Sequence, residues 1–267
     1  MIRITTLLLL LSGLFPSELE AAWYPKEFSA EVQWTLPTDP RVSAPAEKIT
    51  GKVYAGNQRM RIEATTQNKT HALIVHEGGK KAWTLNPETK SYHDGVGKVP
   101  MLPKPDIDIL PSDPDSPCAK KNKVTCNSTG SDTLDGVAVE KWTISIHQNN
   151  QKGEILLWID PKRRLVLKQQ PNLGPQHTRI LVGEVDHGGR PTEKWTITET
   201  FQGQSHTMEQ WVDKELRLIV RQSGPVGDFL LVQNIQVAPQ PQNLFQIPAE
   251  FKQTLPPAPK PLPGGNP

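Results

Sequence analysis

The residues best equipped for chemistry in this 267-residue chain are few, and their spacing serves no reaction well. Gly203-Gln204-Ser205-His206 sets a serine beside a histidine, the pairing that activates an oxygen nucleophile in hydrolases. It lacks the second glycine of a nucleophile elbow and falls in a predicted hairpin turn rather than between a strand and a helix. His71 and His76 are five apart on a predicted strand, so they project to opposite faces and cannot share a metal. Asp106, Asp108, Asp113 and Asp115 offer hard oxygen ligands, but without the loop glycine and terminal glutamate of a calcium-binding EF-hand. There is no H-E-x-x-H, Walker loop or dinucleotide fingerprint. The expectation is a protein that is not an enzyme and uses neither a cofactor nor a metal.

The two cysteines are better explained. Cys118 and Cys126 enclose Ala119 to Thr125, a spacing wrong for a C-x-x-C redox couple, and no second Cys or His pair stands at zinc spacing. In an oxidising compartment the expectation is a disulfide with a structural role. What remains is apolar. Seven tryptophans stand at 23, 34, 83, 142, 158, 195 and 211, nearly all in predicted strands. Tryptophan brings a large apolar surface and an N–H that needs a partner, so several on one curved sheet suit the wall of a ligand cavity; otherwise they fill a packed core.

The elements that must position these residues are strands. Laid on itself with a shift of 53, the stretch from Glu140 to Gln169 gives eleven identities in thirty positions. Glu140-Lys141-Trp142-Thr143-Ile144 returns as Glu193-Lys194-Trp195-Thr196-Ile197, and Trp158-Ile159-Asp160 returns as Trp211-Val212-Asp213. Each copy reads as three short strands and ends in a fourth, a supersecondary unit that relies on its neighbours to cover its apolar face. Upstream, Phe28, Ala30, Val32, Trp34 and Leu36 alternate with polar residues, the pattern of a half-buried antiparallel strand. Further short strands follow to His93, separated by Gly56-Asn57, Gly78-Gly79 and Asn86-Pro87. No segment carries a convincing long helical period. The fold expected is all-β: an open, strongly curved antiparallel sheet, an unclosed barrel of about a dozen strands with few or no helices. With no helix to cover so wide a sheet, a large uncovered apolar face reads as a binding site. The alternation nominates Val32, Trp34, Met60, Ile62, Trp83, Trp142, Ile144, Trp195 and Ile197 for its wall.

Composition sets the surroundings. Arg3, the apolar run Leu7 to Leu11 with Leu14 and Phe15, and the small pair Ala21-Ala22 read as a cleavable signal peptide over 1–22, and nothing later is long and apolar enough to span a bilayer. Residues 23–251 read as a single β domain containing the repeat at about 136–187 and 188–237, with 252–267 a Pro-rich disordered tail. Between them 100–116 is Pro-rich and irregular, crossing to the cysteine ring. The formal charge of +2 is too balanced for a nucleic-acid binder. Lys120, Lys121 and Lys123, and the group Lys162, Arg163 and Arg164, are ordinary solvated turn charges or a peripheral contact for anionic lipid. The location expected is periplasmic or secreted.

Several stretches resemble one family. The signal peptide, Gly51-Lys52-Val53-Tyr54 through Arg59-Met60-Arg61-Ile62-Glu63, Lys81-Ala82-Trp83-Thr84-Leu85-Asn86-Pro87, Trp158-Ile159-Asp160-Pro161 and Leu244-Phe245-Gln246-Ile247-Pro248 are similar to the LolA/LolB-like superfamily. That superfamily includes outer-membrane lipoprotein carriers and the RseB-type periplasmic regulators. The resemblance implies an unclosed barrel around a cavity for acyl chains, with an early-strand arginine helping to close it; Arg59 or Arg61 lies in the matching stretch. It implies a periplasmic carrier or sensor of lipid, lipoprotein acyl chains or another apolar ligand, with a second envelope protein as a further partner. The carrier's lid helices have no counterpart, since Pro100 to Cys126 stands in their place. The alternative is a non-catalytic envelope interaction or scaffold protein with a packed core and no ligand.

Overall fold

The computed structural model describes residues 24–36, 47–66, 69–76, 80–95, 102, 103, 105, 110–113, 116, 118, 124–148, 151–225 and 227–255. The proposed signal peptide, Trp23, Asp106, Asp108, Asp115, the ring lysines Lys120, Lys121 and Lys123, and residues 256–267 lie outside them.

The chain opens with β1 (Phe28–Leu36), where strict alternation buries Phe28, Ala30, Val32 and Trp34 and leaves the residues between them partly or fully exposed. A meander follows, through β2 (Glu47–Gly56), β3 (Arg59–Thr66), β4 (Lys69–His76), β5 (Lys81–Asn86) and β6 (Ser91–Asp94). After the crossing come nine long or medium strands joined mostly by tight turns. They are β7 (Val124–Leu134), β8 (Val137–Gln148), β9 (Gln151–Asp160), β10 (Leu165–Pro171), β11 (Gln176–His187), β12 (Arg190–Phe201), β13 (Gln204–Asp213), β14 (Leu218–Gly224) and β15 (Gly227–Val237). The two-residue β16 (Lys252–Gln253) comes last.

All sixteen belong to one sheet, ordered β16-β6-β5-β4-β3-β2-β1-β15-β14-β13-β12-β11-β10-β9-β8-β7. The two meanders are joined by the antiparallel pairing of β1 with β15, Val32 opposite Val232 and Trp34 opposite Leu230. Only β16 runs parallel to its neighbour, β6. The terminal strands β16 and β7 do not pair with each other, so the sheet is open rather than a closed barrel, and among the described residues the only helical element is a 3-10 turn, Gln242–Phe245. The expected class, an all-β open curved antiparallel sheet, is the one observed.

The strand count exceeds the dozen expected. β7 is nearly all polar and exposed, with no alternation to announce it, and becomes a strand only by pairing with β8. β16 sits in the stretch that composition assigns to the tail, and exists because Lys252 N–H reaches the Lys90 carbonyl.

Two hairpin turns explain a pair of aspartates that the sequence repeats. Asp160 Oδ1 accepts the backbone N–H groups of Lys162 and Arg163, and Asp213 Oδ1 accepts those of Glu215 and Leu216. Each side chain mimics a turn of backbone, and each turn closes on an arginine at positive φ, Arg164 (55°) and Arg217 (51°). On the strands beside them Lys141 and Lys168 lie over the Trp158 ring, at 5.5 and 4.7 Å. Lys194 and Arg221 lie over Trp211 at 5.0 and 4.4 Å, 53 residues further along in every case.

The main core lies mostly on one face of this sheet. Phe28, Ala30, Val32 and Trp34 of β1 continue laterally into Ile49 and Val53, Met60 and Ile62, and Leu73 and Val75 on one side. On the other side they continue into Leu230, Val220 and Trp195, all in a single buried cluster. Gly51 is needed where β2 and β3 approach, since a Cβ there would stand 2.1 Å from the Glu63 carbonyl oxygen. A second, smaller cluster lies on the opposite face of β4 and β5, where Ala72, Ile74 and Leu85 are packed by Trp83, Tyr92 and Phe251. There the C-terminal arm covers the sheet, with Phe245 buried under the Arg59 guanidinium at 4.9 Å.

Candidate ligand-binding face

The nominated wall residues divide by strand register. Val32, Trp34, Met60, Ile62 and Trp195 all fall in the main cluster, and Ile197, two residues along β12 from Trp195, is equally buried. Ile144 of β8 is buried outside that cluster, and Trp142 is half-buried, its Nε1 donating to Glu140 at 3.1 Å. Trp83 lies elsewhere. Val75 faces Ala82 and Ile74 faces Trp83, so Trp83 shares the opposite face with Ile74, edge-on to His76.

Arg59 and Arg61 also point away from Met60 and Ile62, as alternation along β3 requires. Arg59 covers Phe245, while Arg61 donates to Glu63 at 2.8 Å and to the Leu244 carbonyl at 3.2 Å. Their work here is to hold the C-terminal arm, which His76 also contacts through the Phe245 carbonyl at 2.6 Å. An open groove of about 470 Å³ lies on this opposite face too, lined by Glu31, Gln33, Lys52, Glu63 and Thr65 among others. Most of its lining residues are polar, with Val32 and Leu231 the apolar exceptions.

The apolar face is filled from within and crossed by the segment between β6 and β7. Leu102 is 5% exposed in the main cluster, the Pro105 carbonyl accepts Arg179 Nη1 at 2.7 Å, and Asp113 pairs with Arg164. Cys118 and Cys126 form a disulfide, with Cα atoms 5.3 Å apart, tying the far end of this crossing to β7. These contacts put the described residues of that segment against the apolar face.

Among the described residues three polar atoms on or beside this face are buried without a hydrogen-bond partner: Trp34 Nε1, Trp195 Nε1 and Gln210 Oε1. Trp195 and Gln210 are direct cross-strand partners, and both belong to the same row as Trp34 through Leu230 and Gln222. The Trp195 ring also has the guanidinium groups of Arg163 and Arg179 near it, at 5.9 and 6.0 Å. Beyond Arg179 on β11 lies His177, whose imidazole is pushed down to about 4 by burial first and by the Arg179 charge second. Gln210, Arg179 and His177 escaped the sequence reading. The available signal was a glutamine at the repeat position where the first copy has Leu157. Among the described residues no group of His, Cys, Asp and Glu is placed to hold a metal.

No family model matches the chain, and no curated protein matches it. Among the solved structures that are similar over most of its length are the following three. The first is a DUF1329 family protein from Desulfovibrio piger, with 11% identity and TM-score 0.36 over 83% of this chain and 90% of that one. The second is an outer membrane lipoprotein-sorting protein domain from Vibrio parahaemolyticus, with 12% identity and TM-score 0.37 over 85% and 91%. MucB gives 9% identity and TM-score 0.23 over 84% and 91%. A lipoprotein-sorting domain is the kind of protein the sequence resemblance names, but at these identities and TM-scores the likeness assigns no function to this chain.

Proposed function

We infer that this is a non-catalytic protein of the cell envelope that binds lipid, lipoprotein acyl chains or another apolar ligand on the inner face of its curved sheet, as a carrier or a sensor. One observation carries the reading. Most of the main apolar cluster lies on one sheet face, and among the described residues no helix or second sheet lies over it. A sheet normally buries such a face against another layer, so a face this wide, covered by its own curvature and one irregular crossing, is built to accept something apolar.

The same residues determine how binding would proceed. The crossing is held over the face by Leu102, by the Pro105–Arg179 hydrogen bond and by the Asp113–Arg164 pair, and tethered through Cys118–Cys126. A ligand reaching Trp195 and Trp34 displaces these contacts while the disulfide keeps the segment attached. Arg59 and Arg61 take no part in that step.

Purified protein, folded in an oxidising compartment, should carry lipid detectable by native mass spectrometry or solvent extraction, and should take up a fluorescent fatty acid. Protein that extracts clean and takes up no probe would reject the reading in favour of a packed-core envelope interaction protein. That second reading draws on one observation of its own: the nominated wall residues of the main cluster are at most 5% exposed.

A further inference from the structure

Side chains across a sheet form rows set by register, and one row of the apolar face differs from its neighbours. It runs Trp34, Leu230, Gln222, Gln210, Trp195 and Leu181. The rows beside it are largely hydrocarbon, with Val32 opposite Val232 and Ile197 opposite Met208. Within this row lie the three partnerless atoms found on the face among the described residues, two indole N–H groups and one amide oxygen. Buried polar groups are ordinarily paired, because an orphan forfeits its hydrogen bond to water and gains nothing in exchange.

The first copy of the repeat demonstrates that the fold does not require this arrangement. Fifty-three residues earlier the row reads Trp142, Leu157 and Gln169. There leucine replaces the glutamine, and Trp142 Nε1 is satisfied by Glu140 two residues before it. The equivalent acid in the second copy, Glu193, instead accepts Arg163 Nε at 3.0 Å, so Trp195 loses the partner its counterpart keeps. The second copy thus differs from the first in holding a buried, unpartnered donor beside a buried, unpartnered acceptor in an apolar setting.

We propose that Trp195 and Gln210, with Trp34 further along the row, bind the amide that joins an acyl chain to its head group. This rests on the reading of the face as a lipid site and adds to it the chemistry of the ligand. An indole N–H can only donate, so it takes the amide carbonyl; Gln210 Oε1 accepts, so it takes the amide N–H. An ester offers the first of these groups and lacks the second. A peptide strand would bring an amide at every residue, and the rows on either side are mainly hydrocarbon, with Arg179 and Glu193 as their polar members.

The test uses the full mature chain with a dansyl-labelled undecanoic acid as probe, displaced by N-methyllauramide or by methyl laurate, which share a chain and differ in the linkage. Wild type should favour the amide by roughly tenfold, the worth of one buried hydrogen bond. Gln210→Leu should bring the two competitors to within about twofold of each other, and Gln210→Met should do the same. Trp195→Phe should weaken both competitors. Equal displacement by amide and ester in a wild type that binds the probe, or a preference that survives Gln210→Leu, overturns this proposal alone. A wild type that takes up no probe overturns it together with the lipid reading.

Discussion

Replacing Gln210 with leucine should make the ligand-free protein more stable. Gln210 is 6% exposed, its Oε1 has no partner, and its cross-strand neighbours are Trp195 and Gln222. An orphan buried acceptor costs about 1–3 kcal/mol, and removing it recovers that penalty. Leucine has nearly the same volume, and its full burial is worth roughly 1.5–3 kcal/mol relative to exposure, part of which the glutamine stem already supplies. The two effects share one sign, so a net gain of about 2 kcal/mol is expected. In a domain of this size that corresponds to a Tm rise of roughly 4–8 °C. The measurement is urea unfolding of delipidated wild type and variant, with unchanged m-values confirming that only stability differs. The loss of amide preference should accompany the gain, because an unsatisfied group kept in the empty protein is stability given up for binding. A variant less stable than wild type by about 1 kcal/mol or more would refute the reasoning, since it would mean the carboxamide is satisfied in the empty protein.

Three further outcomes are expected. Gly51→Ala should unfold or severely destabilise the protein, because its Cβ meets the Glu63 carbonyl of the adjacent strand at 2.1 Å; circular dichroism melting is the check, and a melt within a few degrees of wild type would contradict it. Trp195→Ala should cost about 3–5 kcal/mol in urea unfolding and Trp142→Ala clearly less, since the first is fully buried and the second half-buried; equal losses would show that the second copy is no better packed. His177 in the folded protein titrates near 4 against an ordinary 6.5, so the unfolded chain binds more protons between those values. The His177 contribution is whole above pH 6.5 and is lost as pH falls toward 4, so His177→Gln should flatten the pH dependence of the urea midpoint over that window, and an unchanged slope would locate the titration elsewhere.

Much of the fold was legible because its signals are local. Period-two alternation in β1 and β3 names the buried residues Phe28, Val32, Trp34, Met60 and Ile62 directly, since successive side chains on a strand must point to opposite faces. The same rule puts Arg59 and Arg61 opposite Met60, although only the structure reveals that the C-terminal arm is what they hold. β7 was illegible because its residues are polar on both faces, and its pairing with β8 supplies what its own sequence does not.

What the sequence by itself determined is which residues share a face within each strand, where the turns fall, and which cysteines can pair. Only the tertiary structure decided which face of one strand continues which face of the next. Trp83 illustrates the reason: alternation joins it to Leu85, but a single-residue difference in the register of β5 on β4 would move both to the other face, and the register observed sets Trp83 beside Ile74 rather than Met60. The row from Trp34 to Trp195 was hidden for the same reason at longer range. It exists because β1 pairs with β15, about two hundred residues away in the chain, and no local pattern records a partner chosen by the burial of a whole face.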